Sequence, residues 1–375
     1  MAGTQAAAQA VAGRTPALLM VYTSPGYDLV GLLEGVREKA AAETVIVGCT
    51  TVGQVTADHP DPAADGVVVA ALGGSGLQIR AAVGREVSTR RREAGAEAAG
   101  SVLGVTSPHR VCMILCDGLV GDQHEVVRGA YGVLGAAVPL VGGCAGDDLV
   151  YARTHQFIGD RNDVEILTDA AVSVGIGSTE KLGIGIAHGW RKVGDPMVVT
   201  RSSGGRLFEL DGGPALDAYL SRIGADRTLL SDPKAFRSTV FSSPLGMSRR
   251  TGEDIRVVHD GDVSEGSLVC LADVPQGALA WIMEADDNSM IDAGAASCAQ
   301  AVENLGGAAP VGLLIFDCGA RKLMLGPDGV RQEVVAMATA AGPAPMAGFY
   351  TYGEIARTQG SRGMHHLTVV TLALA

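Results

Sequence analysis

The chain has 375 residues and few aromatic side chains, 4% of the total, with 19% charged residues against 47% hydrophobic ones. Such a core must be filled by Ala, Val, Leu and Ile, with glycine letting backbones come close. Clustered positive charge is scarce. Arg90-Arg91-Arg92, with Arg85 upstream, is the one basic group, and it opens an expected surface helix. The net charge is −12 and the pI about 5.1. This excludes nucleic acid as the main partner, because neutralising phosphates needs clustered Lys and Arg. No apolar run approaches the ~20 residues of a membrane span. Residues 1–13 lack the basic start and apolar core of a secretory signal. A phosphate loop, a G-x-S-x-G elbow, an H-E-x-x-H pair and paired C-x-x-C units are all missing. The seven cysteines, Cys49, Cys112, Cys116, Cys144, Cys270, Cys298 and Cys318, are odd in number and mostly lie in apolar or glycine-rich runs. They read as buried free thiols of a reduced, cytoplasmic protein. Cys112 and Cys116 stand four apart on a strand, so both belong to one buried face rather than to a zinc site, and no metal is expected.

What the chain has is a phrase used twice. Gly48-Cys49-Thr50-Thr51-Val52-Gly53-Gln54-Val55 and Gly348-Phe349-Tyr350-Thr351-Tyr352-Gly353-Glu354-Ile355 share the pattern G-x-x-T-x-G-[QE]-[VI]. A related phrase, Gly142-Gly143-Cys144-Ala145-Gly146-Asp147-Asp148, lies between them. Each follows an apolar run, which places it where a strand ends. Ligands of α/β sheets usually sit at such ends, and glycine there permits a sharp turn or a close approach. Thr51 and Thr351 are expected at equivalent positions of two related sheet units.

Along the chain, residues 1–14 read as a disordered tail. Strands are expected at 17–22, 44–47, 110–116 and 139–141, with helices at 27–42, 88–103 and 122–137. Val67–Leu72 and Leu77–Val87 read as a hairpin across Gly73-Gly74-Ser75-Gly76. Residues 168–177 and 182–188 read as adjacent strands, and 193–201 with 206–210 as a hairpin followed by a helix that Pro214 opens. The second half repeats the style, with strands at 268–271, 278–283, 311–316 and 367–374 and helices at 287–305 and 327–340. Strands and helices do not strictly alternate. The expected fold is α/β with two domains, 15–210 and 211–375, each a mixed sheet flanked by helices.

These segments resemble a FIST-domain protein, with FIST N-terminal and C-terminal domains in tandem. The resemblance rests on Gly142-Gly143-Cys144-Ala145-Gly146-Asp147, His188-Gly189-Trp190 with Val193-Gly194, and Pro196–Arg201 through Glu209–Gly212. In the second half it rests on Pro244-Leu245-Gly246, Cys318-Gly319-Ala320-Arg321 and Gly348–Ile355. It implies a bacterial sensory module that binds a small molecule and signals, here through a separate protein. One branch of the family binds haem and responds to nitric oxide. The chain departs from the family pattern at Gln54, where Glu is common, and at His365-His366-Leu367-Thr368.

Thr50, Thr51, Cys144, Asp147, Cys318, Arg321, Tyr350, Tyr352 and Glu354, with Asp148 beside them, are the candidate ligand-binding group. Their hydroxyls, guanidinium and carboxylates suit a small zwitterion, with Arg321 clamping a carboxylate and Glu354 or Asp147 an amine. A structural network of the same groups is the alternative. Arg321 and Glu354 are expected to face one solvent-accessible cleft. His188 and His365 are the candidate axial ligands if haem is the cofactor. An enzyme using Cys144, Cys318 or an acid of this cleft is the second class of function, although no general base stands beside either thiol in the sequence. Oligomeric state is left open, a homo-oligomer included.

Overall fold

The computed structural model describes residues 1–57, 66–249, 252–358 and 363–375. They form two compact units. The first takes Met1–His188, Ile291–Met364 and Thr368–Ala375, and the second takes Gly189–Met290 and His365–Leu367.

The first unit opens with α1 (Ala2–Val11), β1 (Leu18–Thr23), α2 (Leu29–Arg37), β2 (Val45–Thr50), β3 (Gln54–Thr56), β4 (Val67–Leu72) and β5 (Leu77–Arg85). It continues through α3 (Val87–Ala98), β6 (His109–Cys116), α4 (His124–Leu134), β7 (Leu140–Cys144), β8 (Gln156–Gly159), β9 (Val164–Leu167), β10 (Ala170–Ser178) and β11 (Leu182–Ala187). The second unit is built on β12 (Arg191–Ser203) and β13 (Arg206–Leu210), which pair as the expected hairpin. After β14 (Gly213–Pro214), Pro214 caps α5 (Ala215–Arg222). There follow α6 (Pro233–Ser242), β15 (Leu245–Arg249), β16 (Gly252–Arg256), β17 (Val258–Asp262), β18 (Ser267–Cys270) and β19 (Leu279–Glu284). Its core gathers Met197, Leu207, Tyr219, Phe236, Leu268 and Ile282. From Ile291 onward α7 (Asp287–Glu303) belongs to the first unit again, with β20 (Gly312–Cys318), α8 (Gly319–Ala341), β21 (Met346–Thr351), β22 (Glu354–Arg357), Met364 of β23 (Met364–His365) and β24 (Val369–Leu374).

The first unit is one design used three times. In each case a buried strand, a helix and a second strand form a parallel pair: β1 with β2, β6 with β7, β20 with β21. Strands buried on both faces need continuous apolar runs, which is how Leu18–Tyr22, Val111–Leu115 and Leu313–Phe316 read. Each pair takes an antiparallel strand beside its first member: β4, β10 and β24. The fourth strand of each sheet comes from elsewhere in the unit. β3 leaves β2 to pair with β21, β22 leaves β21 to pair with β7, and β8, downstream of β7, pairs with β2. Three sheets thereby exchange strands in a closed cycle. Their inner faces meet in one core that includes Met20, Tyr22, Met113, Val174, Phe316, Phe349 and Leu372.

One glycine per repeat makes the parallel pairing work. Gly48, Gly142 and Gly348 stand in register with Val21, Ile114 and Ile315. A Cβ at these glycines would lie 2.0, 2.0 and 1.9 Å from those residues' carbonyl oxygens.

Two expectations are corrected. Residues 2–11 are helical, not a disordered tail. Alanine is the strongest helix former, Ala7 is buried, and Gly3 lets α1 approach α2 so closely that a Cβ would meet the Leu32 carbonyl. Secondly, β4 and β5 are not a hairpin. β4 pairs with β1 and β5 with β10, in different sheets. Each presents one apolar face to the central core and joins the antiparallel edge open to it, and the glycine-rich link turns the chain from one sheet to the next. For the same reason β10 and β11, though consecutive, lie in separate sheets.

Gly348→Ala should lower stability by about 1–3 kcal/mol or more, the cost of forcing extra volume into packed backbone. Urea denaturation should show this, while Gly342→Ala, whose Cβ would meet nothing within 4 Å but whose φ is +70°, should cost only its backbone strain, about 1 kcal/mol.

Candidate functional site

The glycine phrases converge at the strand ends of the first unit and are joined by a ring of backbone hydrogen bonds. Val52 N donates to Tyr350 O at 3.0 Å, Tyr352 N to Cys144 O at 3.1 Å, and Gly146 N to Thr50 O at 3.0 Å. In every case the donor is four residues past the register glycine and the acceptor two residues past the glycine of another repeat. Tyr350 N returns a bond to Gly53 O at 2.8 Å and Cys144 N one to Gly353 O at 2.7 Å. Thr51 and Thr351 match in detail. The Oγ1 of each accepts from the amide two residues on, Gly53 or Gly353, at 3.2 Å. Thr51 Oγ1 also accepts from Gln54 Nε2 at 2.8 Å, and Thr351 Oγ1 donates to Glu354 Oε1 at 2.5 Å.

The expected ligand group is therefore brought together, but as an interior network. Thr50, Thr51, Cys144, Arg321, Tyr350 and Glu354 are fully buried, Asp147 and Cys318 nearly so, and Tyr352 is half-buried. Thr50 Oγ1 accepts from His155 N at 2.9 Å. Asp147 closes the loop after the third phrase, accepting from the amides of Tyr151, Ala152 and Arg153 at 2.9, 2.6 and 2.8 Å and from the Tyr352 hydroxyl. Cys318 stands at the start of α8. The Cys144 thiol is held protonated by its hydrogen bond with Cys116 and by burial, the opposite of what a nucleophile needs.

Arg321 and Glu354 do not share a solvent-accessible cleft, since neither exposes any surface. Arg321 is bound instead by two acids that sequence reasoning left out of the site. Its Nε donates to Asp317 Oδ1 at 2.9 Å and its Nη2 to Glu333. Its Nη1 reaches the His188 carbonyl at 3.2 Å. Asp317 and Glu333 are thus two buried acids around one cation, which favours one of them keeping a proton. Burial, then the Asp317 charge, raises Glu333 well above the carboxylate range, so the proton sits there. The group is then Arg⁺, Asp⁻ and a neutral Glu, with no net charge left in the core. The four-residue spacing of Asp317 and Arg321 across the strand-to-helix junction was a readable signal; Glu333 lies beyond the helix kink at Gly326 and was not.

Glu354 is a second buried acid. It accepts from Thr351, from Thr368 N at 3.2 Å and from Thr368 Oγ1 at 2.8 Å, yet burial pushes its pKa up to about 8. His188, half-buried, belongs to the first unit and His365 to the second. Among the described residues no group of three or more His, Cys, Asp or Glu is placed to hold a metal, and no helix is long and apolar enough to cross a membrane.

Open space lies at the other ends of the strands. A cavity of about 990 Å³ runs the length of β4, from Val67 to Gly74. Its remaining walls are one face of α1 with Ala6, Ala10 and Arg14, the chain at 311–314 entering β20, and the chain at 345–347 entering β21. Among the described residues β4 has a single strand partner, β1, so its other edge offers backbone N–H and C=O groups to this space. No sequence motif marks this cavity, because backbone and apolar side chains line most of it.

The FIST N domain matches residues 17–213 and the FIST C domain residues 215–357. An uncharacterized protein of Mycobacterium tuberculosis, found in two strains, is 24% identical over 380 residues, covering 98% of this chain and 94% of that protein. An uncharacterized protein of Methanocaldococcus jannaschii is 27% identical over 183 residues, covering 46% of this chain and 34% of that one. FIST domains are associated with sensory and signal-transduction roles.

Two measurements test the buried network. Arg321→Met should cost about 3–5 kcal/mol, the usual penalty for leaving buried charge unpaired. The pH dependence follows from Glu354. Its folded pKa is about 8 against 4.5 for the free side chain. The folded state therefore binds the proton more tightly, and the stabilisation is full below about pH 4.5 and lost as pH rises through 8. Urea melts of the wild type should weaken across that window by up to about 1.4 kcal/mol per pH unit from this group. Glu354→Gln should weaken less; an identical slope would mean that Glu354 is ionised throughout.

Proposed function

Because the chain belongs to the FIST family, we propose that it is a signalling protein whose binding event takes place in the cavity beside β4 rather than among the strand-end phrases. The observation that carries this reading is the contrast between the two ends of the same sheets. At the C-terminal ends of the parallel strands Thr50, Thr51, Cys144, Arg321, Tyr350 and Glu354 are fully buried, with Thr51 and Glu354 bonded beside the ring and Arg321 to its two acids. At the N-terminal ends a cavity of about 990 Å³, of the size that holds small ligands, is bordered by a strand edge that is unpaired among the described residues. Val68, Ala70, Leu72 and Met20 supply apolar wall; the β4 backbone, Gln9 and Arg14 supply directional polar groups. Occupation would tie α1 and the β4 edge to the starts of β20 and β21. That gives a ligand a mechanical consequence for the fold, which a separate signalling protein would read. Haem is not favoured there, since none of the described lining residues is a histidine.

The test is a thermal-shift screen of defined metabolites on the full chain and on Ala10→Trp, which fills the cavity from α1 and changes no strand residue. A compound at about 100 times its Kd should stabilise the wild type by about 2.7 kcal/mol and leave the variant unchanged. Stabilisation of both to the same extent would place the ligand elsewhere.

A further inference from the structure

The cavity is the empty place of a strand. Beyond β10 the second sheet carries β5, and beyond β24 the third carries β11, both antiparallel to their neighbours. Each of these outer strands has the same surroundings. A helix lies over it: a Cβ on Gly84 of β5 would be 1.9 Å from Ala94 O of α3, and one on Gly185 of β11 would be 1.9 Å from Ser297 O of α7. The start of another repeat lies beside it: Leu182 and Ile184 of β11 share a space with His109–Val111 entering β6 and Pro139 entering β7, and β5 runs beside β2. Next to β4 the same walls stand in the same order. The antiparallel edge is β4, the helix is α1, and the neighbouring repeat is the start of β20 and β21. Only the strand is missing among the described residues.

We propose that an extended segment of a partner protein binds here, adding to β4 as an antiparallel strand. This rests on the reading of the cavity as the binding site and names what fills it. Main-chain hydrogen bonds to the free edge would supply affinity, and alternate side chains the specificity. β5 shows the pattern required. Leu77, Ile79, Ala81 and Val83 face the central core, beside Val68, Ala70 and Leu72 of β4. The opposite face carries Gly84 where the helix passes closest. The partner segment should thus alternate apolar residues with small or polar ones over about six positions, the length of β4. A second copy of this chain is a poorer donor, because its own strands of this pattern, β5 and β11, are already paired within their sheets.

The probe is a fluorescent peptide copied from Leu77–Arg85, titrated onto the full chain and read by anisotropy. Two analogues carry N-methyl groups on the odd or on the even residues. In an added strand alternate N–H groups point at the partner edge. One analogue should therefore lose at least about tenfold in affinity while the other keeps most of it, and amide exchange at Val67–Leu72 should slow when the parent peptide binds. Equal binding of the two analogues, or no change at β4, overturns strand addition. If no peptide binds while defined metabolites stabilise the wild type but not Ala10→Trp, the strand assignment fails and the cavity reading stands. If neither binds, both fall. Self-association of the chain that Ala10→Trp abolishes would give the edge to a second copy and overturn the partner assignment.

Discussion

Three backbone hydrogen bonds, Val52 to Tyr350, Tyr352 to Cys144 and Gly146 to Thr50, hold the first unit together at its centre. They are short-range bonds between residues far apart in sequence. Each can form only if two conditions are met. The strands must run through the register glycines at full depth, and the chain past each phrase must cross to another sheet. Both conditions explain residues that composition alone makes puzzling. Gly48, Gly142 and Gly348 have no room for a Cβ. Thr51 and Thr351 turn the chain by accepting the amide of the glycine two residues on, which releases the next strand towards its new sheet. The exchange of β3, β8 and β22 is therefore a consequence of the ring and not a separate feature.

Buried charge follows from the same geometry. The ring draws polar strand ends into the interior, where each must find a partner or lose its charge. The two matching positions show both solutions. Gln54 is neutral and donates to Thr51. Glu354 accepts from Thr351 and Thr368, two hydroxyls and an amide that cannot fully replace water, so it keeps its proton to near pH 8. Arg321 lies in the same interior and is neutralised by Asp317, while Glu333 is kept as the acid. An interior assembled this way has no spare charge with which to seize a zwitterion. That is why a residue inventory suited to ligand binding serves cohesion here.

How much of this was legible in the sequence depends on the range of the signal. Apolar runs marked β1, β6 and β20, and the repeated glycine phrase marked equivalent turns, because both are local demands on residue type. The destination of a strand is not local. Nothing in Val67–Leu72 or Leu77–Arg85 says that they belong to different sheets, and the glycines between them suit a hairpin equally well. The alanine-rich N-terminus was misread for the opposite reason. Its composition resembles a tail, but small side chains are what let α1 lie against α2 and leave room beside β4. The motif groups the strand-end residues; whether water reaches them depends on the crossing strands, which no motif records.

The three repeats are equal at the ring and unequal at the rim, and the inequality is where a function can reside. A fold that closed all three outer positions with its own strands would have no cavity of this size. Two are closed, by β5 and β11, and the third is lined, roofed by a helix and left open among the described residues. Free edges are a liability in sheets unless short, charged, covered or used. β4 is six residues long, carries no charged side chain and lies beside a cavity. None of the usual protections is present along it, apart from α1 above. The β4 edge, unpaired among the described residues, is thus also one the fold has shaped on its other sides to receive a strand.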